Sequence, residues 1–299
     1  MKAGIGCVPC TVRAALDMAE KASKDEREVL IILRKTLRFL SAVDYFEKTP
    51  AELHTIVSRI VKEVTGNPDP FKSIKQECNK RALKLIASLT KMMEGLDSLE
   101  RLNLMIKASV YGNAMDFEVE GYDFKLEEFE LNLAKCVERN PIINDVGKLL
   151  ILLKNSGKIM YLLDNAGEIV FDKLLIQEIS QLFKCKIVAV VKQSPVLNDA
   201  TIEDANMVGL TDVCEVISTG DDHIGVHLDT SSLAFKESVE MSNLLIAKGQ
   251  GNFETLTEYR SMIKKPICHL FKVKCKVVSD YMKVPVNSDV VSVWKPSVH

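Results

Sequence analysis

Four polar stretches of the chain hold residue types that can do chemistry: Asp164-Asn165-Ala166-Gly167-Glu168, Lys192 through Asn198-Asp199, Ser218 through Gly225, and Lys248-Gly249-Gln250-Gly251-Asn252. Asp, Asn and Asp side chains are hard oxygen donors, which suit Mg²⁺ or Mn²⁺ better than thiophilic metals. Two carboxylates bring a divalent site near neutrality and leave positions for water and a phosphate oxygen. A cation so held polarises a phosphoryl group and acidifies its water. Lys248 carries charge to balance a phosphate, and Gly249 and Gly251 let backbone N–H groups approach an anion before a helix. Taken singly, each stretch also suits a plainer role. Asp164 and Asn165 favour turns and N-caps, Asp199 precedes a helical pattern, and a short glycine loop is a weak phosphate signal.

Other candidates are less specific. Gly112-Asn113-Ala114-Met115-Asp116-Phe117 breaks a helical pattern with a glycine, an amide and an acid, which equally suits a C-cap and turn. Cys7 and Cys10 are the one recognisable cysteine pair, for which a metal or redox role stands against simple packing. His223 and His227 lie four apart without a helical pattern around them and read as loop residues.

The elements that must position these residues change in kind near residue 157. Before it, apolar residues recur at helical spacing. Thr49-Pro50-Ala51-Glu52 forms a capping box before Leu53, Ile56, Val57, Ile60 and Val61, and Gly66-Asn67-Pro68 stops that run. Helices are also expected over 10–22, 25–46, from 69–70 through Leu89, and from Asp97 with Glu100 onward. After residue 157, apolar runs at 158–163, 186–191, 213–217, 244–247 and 267–271 alternate with helical patterns at 167–183, 200–208, 231–241 and 253–262. Val290 to Trp294 reads as a late edge strand. Such alternation indicates βαβ units and an α/β fold, a Rossmann-like, mostly parallel sheet with helices on both faces, preceded by an all-helical domain. The expected division is 1–156 and 157–299. Ligands of open α/β sheets bind beyond the carboxyl ends of the strands, so the four polar stretches should share one rim.

Composition bounds the alternatives. The 299 residues are 47% apolar and 27% charged, which excludes a disordered chain. Thirty-nine Lys and Arg against 41 Asp and Glu give a net charge of −2, no grip for a nucleic acid. No apolar run reaches the roughly 18 residues of a membrane span. The N-terminus lacks the apolar segment of a signal peptide, so a cytoplasmic protein is expected.

Together, Asp164-Asn165-Ala166-Gly167-Glu168, Pro195 with Asn198-Asp199-Ala200-Thr201, Lys248 through Glu254, and Gly112-Asn113 with Asp116-Phe117 resemble the damage-control phosphatase family over nearly the whole chain. That family includes the phosphatase domain fused to some pantothenate kinases and the protein once described as an acidic-residue methyltransferase. Cys7-Val8-Pro9-Cys10 resembles the opening of its stand-alone prokaryotic branch. The resemblance implies a metal-dependent phosphatase hydrolysing small phosphorylated metabolites with a metal-activated water. It implies Mn or Mg as cofactor, with Ni or Co as alternatives. Asp164, Asn165 and Asp199 match the metal ligands. Asp164, Asn113, Asp116 and Glu168 match the catalytic positions, and Asn198, Lys248, Gly249 and Asn252 the substrate-binding positions. The loop with His223 and His227 departs from the family pattern. Competing readings are an aspartyl-nucleophile phosphatase, which wants a second acid where Ala166 stands, a methyltransferase, and a metal- or metabolite-binding protein without turnover.

Overall fold

The computed structural model describes residues 1–113, 131–135 and 138–296. Its N-terminal part is helical: α1 (Cys7–Ala22), α2 (Glu26–Ala42), a 3₁₀ turn (Tyr45–Glu47), α3 (Pro50–Thr65), α4 (Lys72–Leu83), α5 (Ile86–Met93) and α6 (Ser98–Gly112). Helix α3 starts as its sequence demands. The Glu52 N–H donates to Thr49 Oγ1 at 3.1 Å and the Thr49 N–H to Glu52 Oε2 at 2.8 Å, satisfying two otherwise orphaned donors. Gly66, at φ 65°, ends it. Asp97 and Glu100 cap α6 in the same reciprocal way.

Two boundaries differ from the sequence reading. Helix α2 stops at Ala42, and Asp44 starts the separate 3₁₀ turn by accepting from the Phe46 N–H. The helix expected through Leu89 breaks between α4 and α5, a break that no Gly or Pro announces. Both Leu85 and Leu89 stay fully buried across it.

The remaining elements are β1 (Ile143–Asn144), α7 (Val146–Lys154), β2 (Lys158–Leu162), α8 (Glu168–Leu182), β3 (Lys186–Val191), α9 (Ile202–Met207), β4 (Glu215–Ser218), α10 (Leu233–Met241), β5 (Leu244–Lys248), α11 (Gly249–Leu256), β6 (Ile267–Lys272), α12 (Lys276–Met282) and β7 (Asp289–Trp294). Among the described residues the sheet has seven strands in the order β1-β7-β6-β5-β2-β3-β4. All neighbours run parallel except β6 and β7. The chain leaves β2 toward β3 and β4, then returns to lay β5 on the other side of β2. That reversal opens a crevice above the carboxyl end of β2.

β7 is not the edge strand. It lies between β6 and the two-residue β1, which pairs through Ile143 and Val290. Two residues carry no alternation to read, so β1 and the helix after it were legible only as helical sequence before residue 157. The sheet is covered on both faces, which explains its near-continuous apolar strands. Ile159, Tyr161 and Ala189 join a core with α4–α6 and α8. Met160, Leu162 and Val188 join a second core with Phe235 and Val239 of α10. Helices α1–α3 have a smaller core of their own around Ala15, Met18, Ile32, Val57 and Val61. No helix among the described residues is long and apolar enough to cross a membrane.

Candidate functional site

Backbone pairing brings the first two polar stretches together. The Ala200 N–H donates to Asp164 O at 2.7 Å and the Ala166 N–H to Asn198 O at 2.8 Å, so Asn165 and Asp199 form an antiparallel bridge. Asp164, Asn165, Asn198 and Asp199 thereby line one cavity of about 620 Å³. Gly249, the first residue of α11, packs directly on them. It sits at φ +77°, and a Cβ built there would lie 1.9 Å from Asp164 Oδ2. Only glycine tolerates both the backbone angle and that approach.

A second layer of amides and acids orients the carboxylates. Asn113, just past α6, donates to Asp164 Oδ2 and to Glu168 Oε2, each at 2.9 Å. Asn165 Nδ2 donates to the same two oxygens at 2.7 and 3.1 Å. With its NH₂ turned toward these acids, Asn165 keeps its carbonyl oxygen for a cation. Helix α4 contributes as well: the Gly167 N–H donates to Asn79 Oδ1 at 2.7 Å. Asp116 lies outside the described residues.

Lys248 does not reach the cavity. Fully buried, it donates to Glu168 Oε1 at 2.5 Å and Ser109 O at 3.0 Å, and pairs with Asp172 Oδ1 at 2.9 Å. Burial pulls its pKa down, but Asp172 and Glu168 outweigh burial and the net shift is upward. Asn252 is buried too, its Nδ2 joining Leu163 O and Lys248 O at the ends of β2 and β5. These residues brace the site from behind.

The cavity also receives His54 from α3, Lys272 at the end of β6 and Lys274 after it, none of which the sequence singles out, and Gln250 and Glu254 from α11, which stand in the motif from Lys248 through Glu254 without a role of their own. The helix expected from 253 in fact begins at Gly249, which puts Gln250 and Glu254 one turn apart on one face. Cys7 and Cys10 line the same cavity with Cys275. His223 lies elsewhere, its ring 3.1 Å from Asp221 Oδ2 and stacked on His227 at 4.7 Å. Arg59 of α3 meets the adjacent Asp222 at 2.5 Å. This loop thus fastens the sheet to α3, and Ile224 beside it lines the cavity.

The electrostatics show a shortage of positive charge. Burial raises the Asp164 pKa well above the usual carboxylate range, and Glu168 and Asp199 add to the shift, with Lys274 and Lys192 opposing. Burial likewise pushes Asp199 up to about 6, against Lys192 and Lys75. Asp199 Oδ2 is buried without a hydrogen bond, Lys192 Nζ standing off at 3.7 Å. Crowded, desolvated carboxylates with an orphaned oxygen fit a divalent cation. Among the described residues no group of three or more His, Cys, Asp or Glu is arranged to hold a metal. A donor set of two acids and one amide does not call for such a group.

Fold and site define a helix-fronted α/β protein with an acid–amide–acid cradle at its switch point. The chain belongs to the family described as the damage-control phosphatase ARMT1-like domain, whose model matches residues 5–290. It is 33% identical to a damage-control phosphatase of Pyrococcus horikoshii, over 95% of this chain and 96% of that one. It is 32% identical to a damage-control phosphatase of Archaeoglobus fulgidus, over 98% and 99%. An uncharacterized protein of Methanocaldococcus jannaschii is 38% identical over 95% and 93%. The crystal structure of a DUF89 family protein from Pyrococcus horikoshii superposes with a TM-score of 0.87 at 29% identity, covering 99% of this chain and all of that one.

Proposed function

We propose that the chain is a divalent-cation-dependent phosphatase acting on small phosphorylated metabolites. The observation that carries this reading is that Asp164 and Asp199 line one cavity of about 620 Å³, Asp199 Oδ2 being buried without a hydrogen bond. Asp164, Asn165 and Asp199 are the residues to hold the cation. When bound, it supplies a Lewis acid for the phosphoryl group and lowers the pKa of a coordinated water. Asn113 and Glu168 keep Asp164 and Asn165 in orientation. Lys274 lines the cavity, its charge acts on Asp164, and among the described residues its ammonium has no ion-pair partner. It is therefore the lysine placed to receive a phosphate oxygen, in the role that sequence reading gave to Lys248. The cavity has room for an ester of metabolite size.

Asp164 is held by Asn113 and Asn165, and Ala166 offers no second acid, which favours attack by water over an aspartyl phosphate. The test is hydrolysis of p-nitrophenyl phosphate and a panel of phosphorylated metabolites, with and without Mn²⁺ or Mg²⁺. Turnover should require the cation, and calorimetry should show Mn²⁺ binding greatly weakened in Asp164→Ala and Asp199→Ala. Folded variants with unchanged affinity would remove the assignment. A single turnover in ¹⁸O-water should place label in phosphate and none in Asp164.

A further inference from the structure

We propose that Glu254 is the general acid of this site, protonating the ester oxygen as it leaves phosphorus. The inference rests on the phosphatase reading and supplies what that reading lacks, a proton donor for the leaving group.

Glu254 sits on α11, which begins at Gly249 against Asp164. Five residues on, it lies about 7.5 Å further along the helix axis and lines the same cavity as Asp164 and Asp199. The residue is almost wholly buried. No side-chain cation pairs with it among the described residues. Gln250 Nε2 donates to Oε1 at 2.9 Å. The Met1 ammonium acts on it from beyond the helix but is itself paired with Glu258 at 2.9 Å. Burial prevails over these neighbours and raises the pKa to about 7, where an acid both holds its proton and gives it up.

The other titratable groups on the wall are poor donors. Burial takes His54 down to about 4, so its ring is neutral at pH 7. Lys272 is tied to Asp289 at 2.6 Å. From α1, Cys7 and Cys10 face Glu254 with thiols pushed up by burial. The Cys275 thiol accepts from the same Gln250 amide at 3.5 Å. Lys274 is spoken for by the phosphate.

In the step, a water oxygen forms the new bond to phosphorus and the bond to the ester oxygen breaks. The electron pair stays on that oxygen, which takes the Glu254 proton. The proton lost by the water returns to Glu254 through solvent, so one water is consumed and an alcohol and phosphate are formed.

The experiment compares two leaving groups on the Mn²⁺-loaded enzyme: p-nitrophenyl phosphate, whose phenolate leaves without a proton, and glycerol 2-phosphate, whose alkoxide cannot. Glu254→Gln should lower kcat/KM for glycerol 2-phosphate by about a hundredfold or more and leave p-nitrophenyl phosphate within about fivefold. Wild-type turnover of glycerol 2-phosphate alone should fall as pH rises past about 7, a measurement that stands even where the variant fails to fold. Equal losses on both esters, the same falling limb for both, or a wild-type enzyme that cleaves the nitrophenyl ester and no alkyl phosphate would each overturn the role of Glu254. A wild-type enzyme that cleaves neither ester with any divalent cation would instead overturn the phosphatase reading and take this step with it.

Discussion

At the scale of single residues, the strictest constraint is Gly249. Alanine there would place a methyl group 1.9 Å from Asp164 Oδ2 at a backbone φ of +77°, so either the helix start or the carboxylate must move. Gly249→Ala should lower the melting temperature and abolish Mn²⁺ binding together, as scanning calorimetry and titration would show; strain at such a position costs about 1–3 kcal/mol before the clash is counted. The two lysines separate cleanly. Removing Lys248 strands Glu168 and Asp172 as buried charges, so Lys248→Ala should cost about 3–5 kcal/mol in denaturant unfolding. Lys274→Ala should leave stability nearly unchanged and cut kcat/KM by about ten- to a hundredfold, the value of one charge-assisted phosphate contact. A stable, inactive Lys248→Ala with a fully active Lys274→Ala would reverse this assignment.

At the scale of elements, α3 and α11 carry the cavity between them. Helix α3 brings Ala51 and His54 to the wall and is anchored at its start by Thr49, whose side chain is buried. Thr49→Ala should cost about 1 kcal/mol in chemical denaturation. Helix α11 illustrates how a glycine run misleads. Gly249-Gln250-Gly251 reads as a loop, yet Lys248 serves as its N-cap and the glycines form the first helical turn. Glycine is a poor helix former, but close packing on Asp164 and Ile224 leaves no room for any other side chain.

At the scale of the whole molecule, the acid cluster couples folding, protons and metal. Asp199 rises from the ordinary 3.8 to about 6 in the folded chain, so the folded state holds a proton that the unfolded state has lost. Stability of the metal-free protein should therefore fall as pH rises through that window. Cation binding requires the ionised form, so Mn²⁺ affinity should climb through the same window, by about tenfold per pH unit for each proton displaced. Titration calorimetry at pH 5, 6, 7 and 8 measures this directly, and a flat profile would show that the acids are already ionised without metal. The helical and α/β parts share a core, since α4–α6 pack with α8 on one face of the sheet. A chain cut at residue 157 would expose that face.

Much of this was legible in the sequence because the signals are local. Capping at Thr49 and Asp97 depends on residues three apart, and strand–helix alternation after residue 157 sets a parallel sheet whose carboxyl ends must share a rim. From these alone, Asp164, Asn165, Asn198 and Asp199 had to come close. Burial and pairing are decided otherwise, by segments far apart in the chain. Lys248 has the charge for phosphate, but Ser109, Glu168 and Asp172 arrive around it from other elements and hold it in the interior. Lys274 stands in no recognisable motif and Glu254 closes one that assigns it no role; both reach the cavity because β5 and β6 lie side by side and α11 follows β5 directly. Residue type and spacing determined the chemistry available to this chain; which side chains face the cavity was settled by packing, because desolvation and contact are properties of the assembled fold and not of any one segment.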